Sequence, residues 1–211
     1  MNYGGKLLTV DNQHNTLAGV VASRGDINVL NQETLSLNVL EVATGKSVGM
    51  YTGGNTSSAK AAVAVSSSAV FGAGAALTTA SLTLADGATL EMTSTVDAVN
   101  LNGAALTFGS GVHLGENLLS DVLALGCGES LALFTGVGEF SLPIVAAVTE
   151  LESSRVLANS VFSNVQSESL YVEYRVEDNV GSLLVLNVPE PATSTLSLLA
   201  LAALAARRRR K

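Results

Sequence analysis

The chain has 211 residues, of which 14% are charged and 4% aromatic, with no tryptophan and a net charge of −7. That length holds one domain with a real core, or a domain plus an appendage. Residues 1–188 contain 17 acidic and 6 basic side chains, a balance of −11, whereas the last five residues are all cations. An acidic body has no phosphate-binding footprint, which argues against nucleic acid as a partner.

The opening stretch, "MNYGGKLLTVDNQHNTLAGV", lacks the cationic n-region, apolar h-region and small-residue cleavage site of a secretory leader. Tyr3-Gly4-Gly5 reads as the interior of a repeat, so the expectation is a fragment or a true start lying upstream. His14 and His113 are the only histidines and have no ligand-spaced partners, so no metal, cofactor or catalytic base is expected at either. "RGD" (24–26) matches an adhesion tripeptide, but three residues match by chance too easily to carry weight.

Three segments then align without gaps: "LEVATGKSVGM" (40–50), "LTLADGATLEM" (82–92) and "LALGCGESLAL" (123–133), with starts 42 and 41 residues apart. Apolar residues alternate on both sides of a central glycine, a strand–turn–strand pattern. Gly45, Gly87 and Gly128 supply a backbone conformation that other residues resist. "VNLNGAALTF" (99–108) is a looser copy, and "INVLNQETLSL" (27–37) keeps the apolar positions without the glycine. The pattern leaves open whether each unit is an antiparallel hairpin or an arc between coils of a parallel stack. Few aromatics, asparagines near turns and sparse proline favour a parallel β-solenoid over a β-sandwich, the units burying one continuous core by stacking.

Residues 53–81 are rich in Ala, Ser and Gly, and Val63, Val65, Val70 and Leu77 favour small-residue strands there over a linker. Cys127 is the single cysteine, which leaves no internal disulfide and no cysteine-based zinc cluster. Set between glycines, it reads as a small, half-buried turn residue. After Pro143 the texture changes. Residues 149–165 suggest a short helix, and "LYVEYRVEDNVGSLLVLNV" reads as a hairpin alternating through Leu170, Val172, Tyr174 and Val176, with a turn at Asp178–Gly181. Such a unit would cap an open sheet edge. The expected divisions are a β-repeat region at 1–142, a short helix with a capping hairpin at 143–188, and a C-terminal segment at 189–211.

No catalytic site is expected. "GKSVG" (45–49) satisfies the Gly-x-Ser-x-Gly string, but a nucleophile elbow needs a strand entering a helix, and here strands flank the glycine. Asp86, Glu91 and Asp97 are candidates to cluster on one face as the paired carboxylates of glycoside hydrolysis, against the plainer reading of a solvated charged face.

The C-terminal segment is unlike the rest. Ala192–Ala206 is a run of 15 uncharged residues. Leu196, Leu198, Leu199, Leu201 and Leu204 spread around a helical wheel and leave no polar face, which argues for insertion over interfacial binding. As a helix the run spans roughly 22 Å, short of the roughly 30 Å hydrocarbon core. It is therefore expected to be a single weak transmembrane anchor, with Arg207, Arg208, Arg209, Arg210 and Lys211 held in the cytoplasm.

Pro189-Glu190-Pro191, the short apolar helix and the terminal arginines, in that order, closely resemble the PEP-CTERM sorting signal of Gram-negative bacteria. The resemblance implies transient lodging in the inner membrane and recognition of Pro189, Glu190 and Pro191 by an exosortase, a membrane cysteine transpeptidase. Cleavage near them would pass the body to the cell surface or extracellular matrix. Proline suits such a site because it breaks strand and helix pairing. The repeats also resemble, generically, the β-helical passenger regions of autotransporter-like surface proteins. The first functional expectation is a non-enzymatic surface or matrix protein, with extracellular polysaccharide as a candidate partner. The alternatives are a carbohydrate-active β-helix enzyme and a glycan-binding adhesin.

Overall fold

A computed structural model of the chain describes residues 8–11, 16–142 and 154–188. In chain order its elements are β1 (Leu8–Asp11), β2 (Thr16–Ser23), β3 (Ile27–Leu30), β4 (Thr34–Val42), β5 (Ser47–Met50), β6 (Ala62–Phe71), β7 (Ala76–Thr78) and β8 (Ser81–Leu84). They continue with β9 (Thr89–Met92), β10 (Val99–Phe108), β11 (His113–Leu114), α1 (Glu116–Leu123) and β12 (Ser130–Ser141). The last are β13 (Ser154–Leu157), α2 (Ala158–Val161), β14 (Leu170–Glu177) and β15 (Val180–Asn187). The protein is all-β in class, as expected, with 58% of the described residues in strands.

The strands on either side of each turn glycine do not pair with each other. β4 pairs with β2 and β6, while β5 pairs with β3 and β7, all in parallel. Three parallel ladders result. One runs β1, β3, β5, β7 and the start of β10 and β12. A second joins the first halves of β2, β4 and β6 to β8 and the later halves of β10 and β12. A third joins the second halves of β2, β4 and β6 to β9 and β11.

Period-2 alternation turns every second residue inward, and the parallel register stacks like positions on one another. Leu35, Val63, Leu82, Leu106 and Phe140 form one such column, and Leu40, Ala69, Leu90 and Leu114 another. All of these are buried, each large apolar side chain contributing about 1.5–3 kcal/mol relative to exposure. Val63, Val65 and Leu77 are buried too, so residues 62–71 and 76–78 are core strands, whereas Val70 is half-buried on the outer side.

Gly45, Gly87 and Gly128 all have positive φ, at 63°, 70° and 84°, as their repeated position predicts. The repeat itself differs from the gapless alignment. Leu40 stacks through Ala69 onto Leu90, and Val42 through Phe71 onto Met92. The first arm of the 40–50 copy thus lies over the second arm of the 82–92 copy, because the loops between levels differ in length. In the third copy the first arm is not a strand, since Leu123 ends α1. Leu118 and Val122, one turn apart on α1, bury its inner face. The Glu91 carboxylate accepts the Asn117 and Leu118 amides at 3.3 and 3.1 Å and so serves the helix start from the neighbouring level.

At β12 the pairing changes sense: β15 adds to it antiparallel, followed by β14 and β13. The hairpin predicted at 170–188 is β14–β15, turning through Asp178 and Asn179 with φ of 50° and 63°, the left-handed pair of a tight hairpin turn. The helix predicted over 149–165 is only the four residues of α2, preceded by β13; residues 149–153 lie outside the described residues.

Glu173 on β14 is buried in this antiparallel sheet and bonded to Arg155 of β13 and, at 2.8 Å, to Arg175. Burial pushes its carboxyl up, but the hydrogen bonds and charges of the two arginines outweigh that and hold it below its ordinary value. Its stabilisation is present above about pH 4.5 and is lost as the pH falls further through the lowered folded value. Glu173→Gln is expected to cost about 1–2 kcal/mol at neutral pH, discounted because both arginines are partly solvated. Thermal melts of the two chains should differ at pH 7 and converge in acid; parallel curves would refute the assignment.

Candidate functional site

The folded body ends in a clasp built on β15. The "LGCGE" turn (125–129) is stiffened internally, with the Gly126 amide donating to Glu129 Oε2 at 2.7 Å and the Glu129 amide to Gly126 O at 2.9 Å. Gly128, at positive φ, turns its amide onto Asn187 O at 2.8 Å, and the Asn187 amide donates to Glu129 O at 3.0 Å. Asn187 Nδ2 donates to Leu125 O at 2.8 Å, and the Val188 amide donates to Ser169 O at 2.8 Å. Four hydrogen bonds therefore fix the two residues before Pro189. Cys127, expected to be half-buried, is exposed at this turn.

A second feature is an open groove of about 690 Å³ along the second ladder. Thr83, Thr107 and Ser141 stack on consecutive levels there, with Thr107 Oγ1 and Ser141 Oγ 2.9 Å apart. Asp86 lies at its rim and accepts the Ser110 amide at 2.7 Å. Glycoside hydrolysis by protein carboxylates uses a pair, and Asp86 is the one acidic residue among the described lining. Glu91 is committed to α1, and the Asp97 carbonyl accepts the Gly74 amide. Of the three acids that sequence alone offered as a cluster, the Asp86 and Glu91 carboxylates thus hold separate main-chain amides, and Asp97 does not line the groove.

Ser47 of "GKSVG" donates from its hydroxyl and its amide to Asp26 Oδ1, at 2.8 and 2.9 Å. These bonds, with burial opposing and Lys46 assisting, hold the Asp26 carboxyl below its ordinary value. Ser47 opens β5 after the turn that follows β4, where a nucleophile elbow would need a helix, and the aspartate of "RGD" is tied to the next level. His113 is exposed beside Ser163, whose Oγ lies 3.1 Å from Nδ1 and 3.2 Å from Nε2. An oxygen equidistant from both ring nitrogens lies along neither nitrogen's lone-pair direction, and Ser163 Oγ donates instead to Gly111 O at 3.0 Å. That is not a base–nucleophile geometry. Among the described residues no group of three His, Cys, Asp or Glu is placed to hold a metal ion.

His14 and the sorting and anchor residues (Pro189, Glu190, Pro191, Leu196, Leu198, Leu199, Leu201, Leu204 and Arg207–Lys211) lie outside the described residues. Among the described residues no helix is long and apolar enough to cross a membrane. Residues 187–211 match the family model of the PEP-CTERM protein-sorting motif. No curated protein and no solved structure matches the chain. The chain thus carries a signal for processing by exosortase, a membrane enzyme, and for export to the cell surface or extracellular space of a Gram-negative bacterium.

The match begins two residues before Pro189, inside the clasp. Sequence reasoning missed Asn187 and Val188. The available signal was a lone asparagine closing an apolar strand, but its partners lie as far back as Leu125.

Proposed function

We propose that this is a non-enzymatic surface or matrix protein whose body is a parallel β-solenoid, residues 1–142, closed by a cap at 143–188. Residues 189–211 form the removable anchor. Exosortase recognises Pro189, Glu190 and Pro191; Leu196, Leu198, Leu199, Leu201 and Leu204 lodge in the inner membrane; and Arg207–Lys211 stop transfer on the cytoplasmic side. Cleavage then releases the body. The observation that carries this reading is the sorting motif at 187–211 following directly on a folded β body. Three parallel ladders in stacked register support the solenoid, and the antiparallel strands added to β12 protect an edge that would otherwise be open. The hydroxyl row and Asp86 of the open groove suit contact with extracellular polysaccharide.

In an exosortase-bearing Gram-negative host the reading expects a body shortened by its C-terminal segment and recovered outside the cell. Replacing Pro189, Glu190 and Pro191 together by alanine should leave it full-length and membrane-bound. Recovery of the unaltered chain from the cytosol, still ending in Lys211, would overturn the proposal. Retention of the released body on the host's polysaccharide, weakened by Thr107→Val, tests the groove.

A further inference from the structure

We infer that the Asn187 clasp is a brake on exosortase processing, with Asn187 holding the residues before Pro189 against the folded body. The inference rests on the sorting reading above and deepens it. A peptidase commonly grips its substrate as an extended strand, through main-chain donors and acceptors on both sides of the scissile bond. In this chain the groups just upstream of Pro189 are already engaged: Asn187 N and O with Glu129 and Gly128, and Val188 N with Ser169. The Asn187 side chain adds a fourth bond, to Leu125 O. The sorting motif and the folded cap therefore share residues 187 and 188. The enzyme must work within Pro189 and beyond, or wait for the end of β15 to open.

Local opening of a terminal strand segment is a property of that segment and not of the whole fold. Each bond removed from the clasp raises the open population, by about fivefold for a typical net hydrogen bond.

The test follows processing of the full chain by pulse–chase in an exosortase-bearing host, alongside amide hydrogen exchange of the purified chain. Asn187→Ala should be cleaved about fivefold faster, with faster exchange at Val188. Inserting Gly-Ser-Gly-Ser between Val188 and Pro189 should speed cleavage equally while leaving exchange at Val188 slow, which a purely structural role for Asn187 does not foresee. Asp26→Asn, which loosens a distant level, should be cleaved at the unaltered rate. Equal rates for Asn187→Ala and the unaltered chain, slower cleavage of Asn187→Ala, or faster cleavage of Asp26→Asn would each overturn the brake while leaving the sorting reading intact. Absence of cleavage in every chain would overturn the sorting reading and the brake with it.

Discussion

Phe108→Ala is expected to destabilise the body by about 4 kcal/mol, the largest effect of any single core truncation. All five phenylalanines of the chain are buried, and Phe108 is their hub. Its ring centroid lies 6.4 Å from Phe134, 5.5 Å from Phe140 and 5.9 Å from Phe162, and Phe134 meets Phe71 at 5.9 Å edge to face. Those rings come from three ladders and from the segment after α2, so little of the backbone can collapse into the space a lost ring would leave. Edge-to-face contacts add about 0.5–1.5 kcal/mol beyond area burial. Phe108→Leu should cost less than about half as much, since most of the volume stays filled. Urea unfolding followed by far-ultraviolet circular dichroism measures both. A cost for the alanine variant below about 2 kcal/mol would place it outside the range for buried aromatic truncation.

Gly181→Ala is expected to cost about 3 kcal/mol and to act on the cap alone. Gly181 pairs with Val137 of β12 and with Val176 of β14. A methyl group there would run into the Val137 carbonyl oxygen and come within 2.6 Å of Tyr174 Oη. The hydroxyl also donates to the Val137 and Gly138 carbonyls at 3.2 Å each, so it is not free to swing aside. The obstruction is backbone on one side and a bonded phenol on the other, and relief requires β15 to part from β12. Hydrogen exchange should quicken along β14 and β15 and stay unchanged in β4 and β6. Gly54→Ala is the control: it is exposed, its nearest neighbour would be 3.6 Å away, and no loss of stability is expected. Equal destabilisation by the two substitutions would show that steric fit is not the reason for Gly181.

What was legible in the sequence was contiguous. The sorting signal occupies consecutive positions, and its parts explain themselves by composition. The β14–β15 hairpin was legible because alternation and turn residues lie within one short window. The turn glycines at 45, 87 and 128 repeat within a fixed local spacing, and their positive φ follows from it. Register was not legible. It depends on how many residues the corners absorb, so like-looking arms of two copies came to rest on different ladders. Helix α1 was hidden for a related reason: the repeat pattern claimed residues 123–133, although Leu118 and Val122 carry helical spacing just before it. The clasp joins Asn187 to residues about sixty positions earlier, and no local window contains both.

The placement of the rings has a mechanical consequence. The large buried apolar side chains of β3, β4 and β5 are Ile, Val, Leu and Met, whereas the rings around Phe108 and the Glu173 ion pairs sit toward the C-terminal end. Were the body to yield level by level, as stacked repeats do, the aliphatic levels would give way first and the aromatic ones last. On the proposed sorting route, the chain not yet cleaved would thus meet shear with its toughest portion nearest the membrane.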